Sequence, residues 1–227
     1  MEFEYKLSTK TPLDLLRYEL YKDIDFDKYF STNNTQLSNT LLSYYDITKE
    51  HYHFLALMST YIDNGNIIDT GTHRGGSAIA LSYNQTNKVH TYDIETFKGG
   101  IHNNVTNIPK NIQSFCPFSI IKLMETEPSK ILESDIFFVD INHEGPEETK
   151  LFNFLLENQY KGILILDDIH INSEMKDFWK FVQSNDVITL DVTNIAHSLD
   201  WSGTGVVFFD KSHKCIDKVS SLLKGVE

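Results

Sequence analysis

Cysteine, basic charge and long apolar runs are all scarce in this chain, and each scarcity closes off a class of protein. Only Cys116 and Cys215 occur, too few for a disulfide framework or a cysteine-based zinc site. Lys and Arg number 20 against 32 Asp and Glu, a formal charge of -12. That balance argues against nucleic acid as a main partner, because phosphate binding needs a basic face, although a local basic pocket stays open. No apolar run is long enough to cross a bilayer. The polar start Met1-Glu2-Phe3-Glu4-Tyr5-Lys6 does not read as a secretion signal, so the N-x-T triplets at Asn33, Asn84 and Asn104 are taken as chance. The expectation is a reduced, cytoplasmic protein.

What is present is ordinary for a globular chain: 41% hydrophobic and 23% charged among 227 residues, enough for one substantial domain with a full core. Residues 1–45 are polar, aromatic-rich and helix-leaning, with an asparagine-rich break at Ser31-Thr32-Asn33-Asn34. They are expected to form a helical extension packed on a domain spanning 46–227, placed to cover its site. An amphipathic helix is predicted over 52–62, closed by Asn64-Gly65. A regular alternation follows. Strands are predicted at Ile67–Thr70, Val89–Asp93, Phe118–Met124, Ile136–Asp140 and Ile163–Asp167, then Val187–Val192 and Gly205–Asp210 as antiparallel partners. Helices are predicted from Pro146 to Asn158, from Glu174 to Val182 and over 214–224. Pro146 suits a first turn, and Glu147 and Glu148 suit the positive end of the helix dipole. Short buried strands alternating with helices give a doubly wound α/β fold with no internal repeat and no linker that would split it.

The organising stretch is Asn66-Ile67-Ile68-Asp69-Thr70-Gly71-Thr72-His73-Arg74-Gly75-Gly76-Ser77. A short apolar run ends in an acid, passes a glycine turn and enters a small-residue helix start. Gly71, Gly75 and Gly76 allow positive φ or close approach of a ligand, and N–H groups near Gly76 and Ser77 are free to receive a polar group. The plain alternative is a tight strand-to-helix turn with no ligand; three glycines in six residues exceed what that needs. The spacing departs from GxGxxG. Asp93 ends the next strand, 24 positions beyond Asp69, where an acid can accept hydrogen bonds from ribose hydroxyls; otherwise it is a solvated loop residue.

Strand ends also carry Asp140 with His143, in Asp140-Ile141-Asn142-His143, and the pair Asp167-Asp168. Adjacent strands would bring three carboxylates to one rim, where uncompensated they repel. A hard divalent cation resolves the repulsion, and an all-oxygen set suits Mg²⁺ or Mn²⁺. His143 is a candidate general base, since imidazole can accept a proton near neutrality; the alternative is a structural loop histidine. His73 and His170 lie near the expected crevice with weaker claims.

These residues resemble the class I S-adenosylmethionine-dependent methyltransferases, and within them a metal-dependent branch of sugar O-methyltransferases that includes the rhamnosyl O-methyltransferase or cephalosporin hydroxylase group. Asp69-Thr70-Gly71-Thr72-His73-Arg74-Gly75-Gly76-Ser77 resembles that branch's cofactor loop, Asp93 its ribose-binding acid, Asp140-Ile141-Asn142-His143 its Asp-Gly-x-His signature and Leu166-Asp167-Asp168 its Asp-Asp pair. The resemblance covers residues 50–210. It implies a seven-stranded sheet with an antiparallel last pair, and S-adenosyl-L-methionine held by Asp69, Gly71, Thr72, Gly75, Gly76, Ser77 and Asp93. It also implies a metal ion on Asp140, Asp167 and Asp168, with His143 as base beside Asp140. Ser202-Gly203-Thr204-Gly205 and the His51/Tyr52 region are similar to methyltransferase domains of algal and large-virus glycan assembly. One departure stands out: Ile141 replaces the glycine after the first acid.

The implied reaction moves a methyl group from a sulfonium to a sugar hydroxyl, in a glycan or nucleotide sugar, with a possible homo-oligomer and no nucleic acid or membrane span. Three rivals remain open: methylation of a catechol-like phenol, an NAD-dependent oxidoreductase using the same glycine turn and Asp93, and a cofactor-binding subunit without catalysis.

Overall fold

A computed structural model describes residues 20, 23–24, 51–73, 75–94, 108–196 and 202–224, so nearly all of the expected N-terminal extension lies outside the described residues. Of that extension, Leu20 and Ile24 pack on the core, and Tyr83 Oη donates to the Asp23 carbonyl at 3.2 Å.

The chain alternates as expected. Helix α1 covers residues 51–60. It is followed by β1 (Asn66–Thr70), α2 (Gly76–Leu81), β2 (Lys88–Tyr92), β3 (Ile112–Phe115), α3 (Ile120–Thr126) and α4 (Pro128–Leu132). Next come β4 (Ile136–Val139), α5 (Pro146–Glu157), β5 (Ile163–Asp167), α6 (Ser173–Gln183), β6 (Ile188–Asp191), α7 (Thr193–Ala196), β7 (Thr204–Phe208) and α8 (Ile216–Leu223). Seven strands form one sheet in the order β3-β2-β1-β4-β5-β7-β6, with β7 antiparallel to both neighbours and the other pairs parallel.

Both faces of this sheet are covered, which is why its strands read as unbroken apolar runs. Alternation sends Ile67, Val89, Ile136, Phe138, Ile163, Ile165 and Val206 into one core with Phe54, Leu55 and Met58 of α1 and Ile79 of α2. Ile68, Phe137, Val139, Leu164, Leu166 and Val207 enter the other, with Leu151 and Phe152 of α5 and Phe178 and Trp179 of α6. Strand order reverses between β1 and β4. In an open sheet of this kind that reversal is where ligands bind, beyond the carboxyl ends of the strands.

One predicted strand is a helix. Ser119 caps it, accepting from the Lys122 N–H at 3.2 Å, and Ile120, Leu123 and Met124 bury one side at helical spacing while Ile121 and Lys122 are less buried. The third strand precedes it at Ile112–Phe115, where Gln113 and Ser114 dilute the apolar signal of an edge strand.

Candidate active site

Register carries the strand-end acids to one rim. Thr70 lies beside both Tyr92 and Val139, and Val139 beside Leu166, so Asp93, Asp140 and Asp167 follow at the same edge of the sheet. Asp191 of β6 and Thr204 of β7 reach that edge as well, through the pairs Asp191 with Gly205 and Asp167 with Thr204.

The glycine loop leaves β1 by crossing close beneath the β4 loop. Gly71 has φ +89°, and a Cβ there would sit 1.7 Å from the Asp140 carbonyl oxygen. A side chain is therefore excluded by backbone. At Gly76 the limit is aromatic: a Cβ would lie 2.6 Å from the Tyr52 ring of α1. Two of the glycines expected to admit a ligand are thus already required by packing. Gly75, with φ 91°, is the N-cap of α2, and Ser77 is buried in its first turn.

Asp69 lies wholly buried in β1. Thr91, its neighbour in register on β2, donates to Asp69 Oδ2, and Thr72 Oγ1 bonds to Thr91 Oγ1 in turn. Because Thr91 spends its proton on the carboxylate, Thr72 must be the donor to Thr91. Among the described residues, Asp69 Oδ1 has no hydrogen-bond partner within bonding geometry. Burial pushes this carboxyl up to about 6, against the lowering influence of its hydroxyl neighbours Thr91 and Ser77. Asp93 is tied to the same loop: its Oδ2 accepts from the His73 N–H at 2.7 Å, with His73 at φ 42°. Ile94, directly after it, is 64% exposed, a large apolar side chain left open beside Asp93.

Across the reversal point the β4 and β5 loops bring Asp140, His143 and Asp168 together. His143 Nε2 lies 3.2 Å from Asp140 Oδ1 and 3.2 Å from Asp168 Oδ2, and one ligand-type atom from each residue falls within 4.8 Å of the others. Asp167 is aimed elsewhere: its Oδ2 is 3.6 Å from Nε2 of the buried His51, whose Nδ1 faces Thr204 Oγ1 at 3.4 Å. Of the four residues expected in the acidic cluster, three converge as drawn and the fourth turns to a histidine of α1.

The field inside this cluster is strong. Burial pulls the His143 imidazole down, but the hydrogen bond to Asp140 and the charges of Asp140, Asp168 and Asp167 outweigh it and raise it to about 9. Burial pushes Asp140 up to about 7, with the His143 hydrogen bond opposing and Asp167 and Asp168 adding to the rise. The imidazole thus sits between two acids that hold its proton more tightly than usual.

Ile141, the residue after Asp140, packs on the core, and the left-handed residues of this loop come later, at His143 (φ 56°) and Gly145 (φ 92°). Further along the rim, His170 Nε2 bonds Asp191 Oδ2 at 2.8 Å, while Asp191 Oδ1 accepts from the Thr193 N–H at 3.0 Å. Sequence reasoning passed over Thr91 and Asn172, and saw Glu148 only as a helix-start acid and not as a partner of His143. Thr91 was within reach, being a polar residue in an apolar strand opposite Asp69; the other two act through loop geometry that spacing does not encode.

Neither a family model nor a curated protein matches this chain in sequence. Solved structures match it in fold. A Staphylococcus aureus protein assigned as a caffeoyl-CoA O-methyltransferase superposes with a TM-score of 0.56 at 15% identity, over 86% of this chain and 99% of its own. An O-methyltransferase assigned in Klebsiella pneumoniae gives 0.50 at 13%, over 89% and 91%. Precorrin-6y C5,15-methyltransferase from Geobacter metallireducens gives 0.51 at 12%, over 68% and 87%. The chain has the α/β Rossmann-like fold of methyltransferases, with the antiparallel last pair.

Proposed function

We propose that this protein is an S-adenosyl-L-methionine-dependent O-methyltransferase that acts on a sugar hydroxyl with the help of a divalent cation. The observation that carries the reading is one rim holding both halves of the chemistry. The glycine loop with Asp69 and Asp93 lies on one side of the reversal point, and Asp140, His143 and Asp168 lie on the other.

The residues fit both absent groups. A buried carboxylate oxygen without a partner suits a ligand that brings cationic charge, as S-adenosyl-L-methionine does, and among the described residues Asp69 Oδ1 is such an atom. Asp93, backed by the His73 N–H, would accept from ribose hydroxyls, and exposed Ile94 beside it suits the base. The two carboxylates, Asp140 and Asp168, suit a hard divalent ion such as Mg²⁺ or Mn²⁺, which leaves the His143 imidazole free for proton transfer. Asp140 and Asp168 would hold it, with Asp167 in reserve on His51. Such an ion supplies positive charge that makes a hydroxyl more acidic.

His143 would take the hydroxyl proton as the methyl group arrives. Held between two bare carboxylates it stays protonated at neutral pH and cannot do so; with their charge shared it is released. Asp140 keeps the ring aimed. The polar rim at His170 and Asp191 supports a hydroxyl-rich acceptor over a flat apolar one. A phenolic acceptor is the second reading, favoured by the name of the Staphylococcus aureus neighbour.

Calorimetric titration tests this. S-adenosyl-L-methionine should bind, NADH should not, and methyl transfer to a panel of methyl glycosides should be lost in EDTA and restored by Mn²⁺. Binding of NADH alone would overturn the transferase reading. Transfer to catechols but no glycoside would replace the acceptor.

A further inference from the structure

His143 has a backbone that histidine seldom adopts, φ 56°, and its peptide is gripped from both sides. Its N–H donates to Glu148 Oε1 at 3.1 Å. Its carbonyl accepts from Asn172 Nδ2 at 2.8 Å. Both partners are also helix caps. Glu148, buried in the first turn of α5, accepts from the Gly145 N–H through its other oxygen at 3.0 Å. Asn172 is the N-cap of α6 and accepts from the Met175 N–H at 2.8 Å.

Capping alone does not call for this chemistry. An N-cap needs only an acceptor oxygen, which serine or aspartate supplies as well as asparagine. What asparagine adds is an amide donor, and here the donor is spent on His143. That bond also spans two loops: His143 follows β4, whereas Asn172 belongs to the β5–α6 connection that carries Asp168. It is a strut between the two halves of the cluster.

We infer that Glu148 and Asn172 are positioning residues that fix His143, and through it the spacing of Asp140, His143 and Asp168. The inference rests on the reading of that cluster as the working site. With the peptide held on both sides, the ring can lie 3.2 Å from an acid on each loop. Released on either side, left-handed His143 relaxes toward an ordinary backbone and the ring swings away.

Asn172→Ser separates the two roles, since the hydroxyl caps α6 but cannot reach His143 as a donor. Asn172→Asp is the stricter partner: the cap is kept and a carboxylate faces the His143 carbonyl. Glu148→Gln keeps one acceptor and turns an amide toward the other N–H. Each variant is compared with the wild-type full chain by ¹⁵N relaxation of the His143 amide without metal, and by binding of Mn²⁺ alone. Thermal midpoints serve as the control for capping. The expected result is a His143 order parameter falling from about 0.85 toward 0.6 in both Asn172 variants. Mn²⁺ affinity should fall about 10- to 100-fold with little change in melting. An unchanged order parameter and affinity in both Asn172 variants would overturn the inference. If wild type binds no Mn²⁺, the metal reading fails by itself, and the relaxation result alone decides the clamp.

Discussion

In the proposed reaction His143 accepts a proton, yet it lies between two carboxylates that hold one on it. The conflict has a measurable sign. An imidazole raised from 6.5 to about 9 in the folded chain binds its proton more tightly there than when unfolded. Its ion pairing therefore stabilises the metal-free protein fully below about pH 6.5, and the gain is lost as pH rises through 9. In EDTA, wild type should melt above His143→Ala at pH 7, and the gap should close by about pH 10. A gap that stays constant across that range would mean that His143 is held by packing and not by charge.

At the scale of elements, most of the frame was legible because local signals agreed with one another. Pro146, Glu147 and Glu148 marked the start of α5, and apolar runs ending in acids marked β1, β4 and β5. The third strand was misplaced because Phe118–Met124 offers apolar residues at a density that fits either period. What decided it was Ser119, whose side chain caps a helix. Ser119→Ala should cost about 1 kcal/mol, read as a lower denaturant midpoint with an unchanged slope. No loss would mean that burial of Ile120, Leu123 and Met124 holds α3 without its cap. The candidate site was legible to the same depth. Strand-end positions of Asp93, Asp140 and Asp167 follow from register, but side-chain direction does not. Asp167 turns to His51, more than a hundred residues earlier, and no spacing rule reaches that far. Gly71 illustrates the complementary limit: the turn was evident, whereas the backbone of Asp140 that forbids a side chain there belongs to another strand.

For the whole molecule, the proposed cofactor site and the fold compete over one buried charge. Asp69 lies buried in the sheet with one oxygen unpaired among the described residues, and its carboxyl is raised from 3.8 to about 6. A raised acid binds its proton more tightly when folded. The penalty is absent below about pH 4, grows as pH rises to 6, and stands at on the order of 3 kcal/mol at neutral pH. Asp69→Asn removes the charge while keeping an oxygen for Thr91. The variant should therefore melt above wild type at pH 7.5, and the advantage should vanish near pH 4. Its response to cofactor should be the reverse. Saturation at a hundredfold excess over the dissociation constant stabilises a binding-competent chain by about 2.7 kcal/mol, so S-adenosyl-L-methionine should raise the melting point of wild type several degrees. The Asn variant, lacking the anionic oxygen that the cation would satisfy, should gain far less. The gap between the two should therefore narrow steadily as ligand is added. Parallel curves would show that Asp69 takes no part in binding, and its burial would then need a structural reason that the Thr91 and Thr72 hydroxyls alone do not provide.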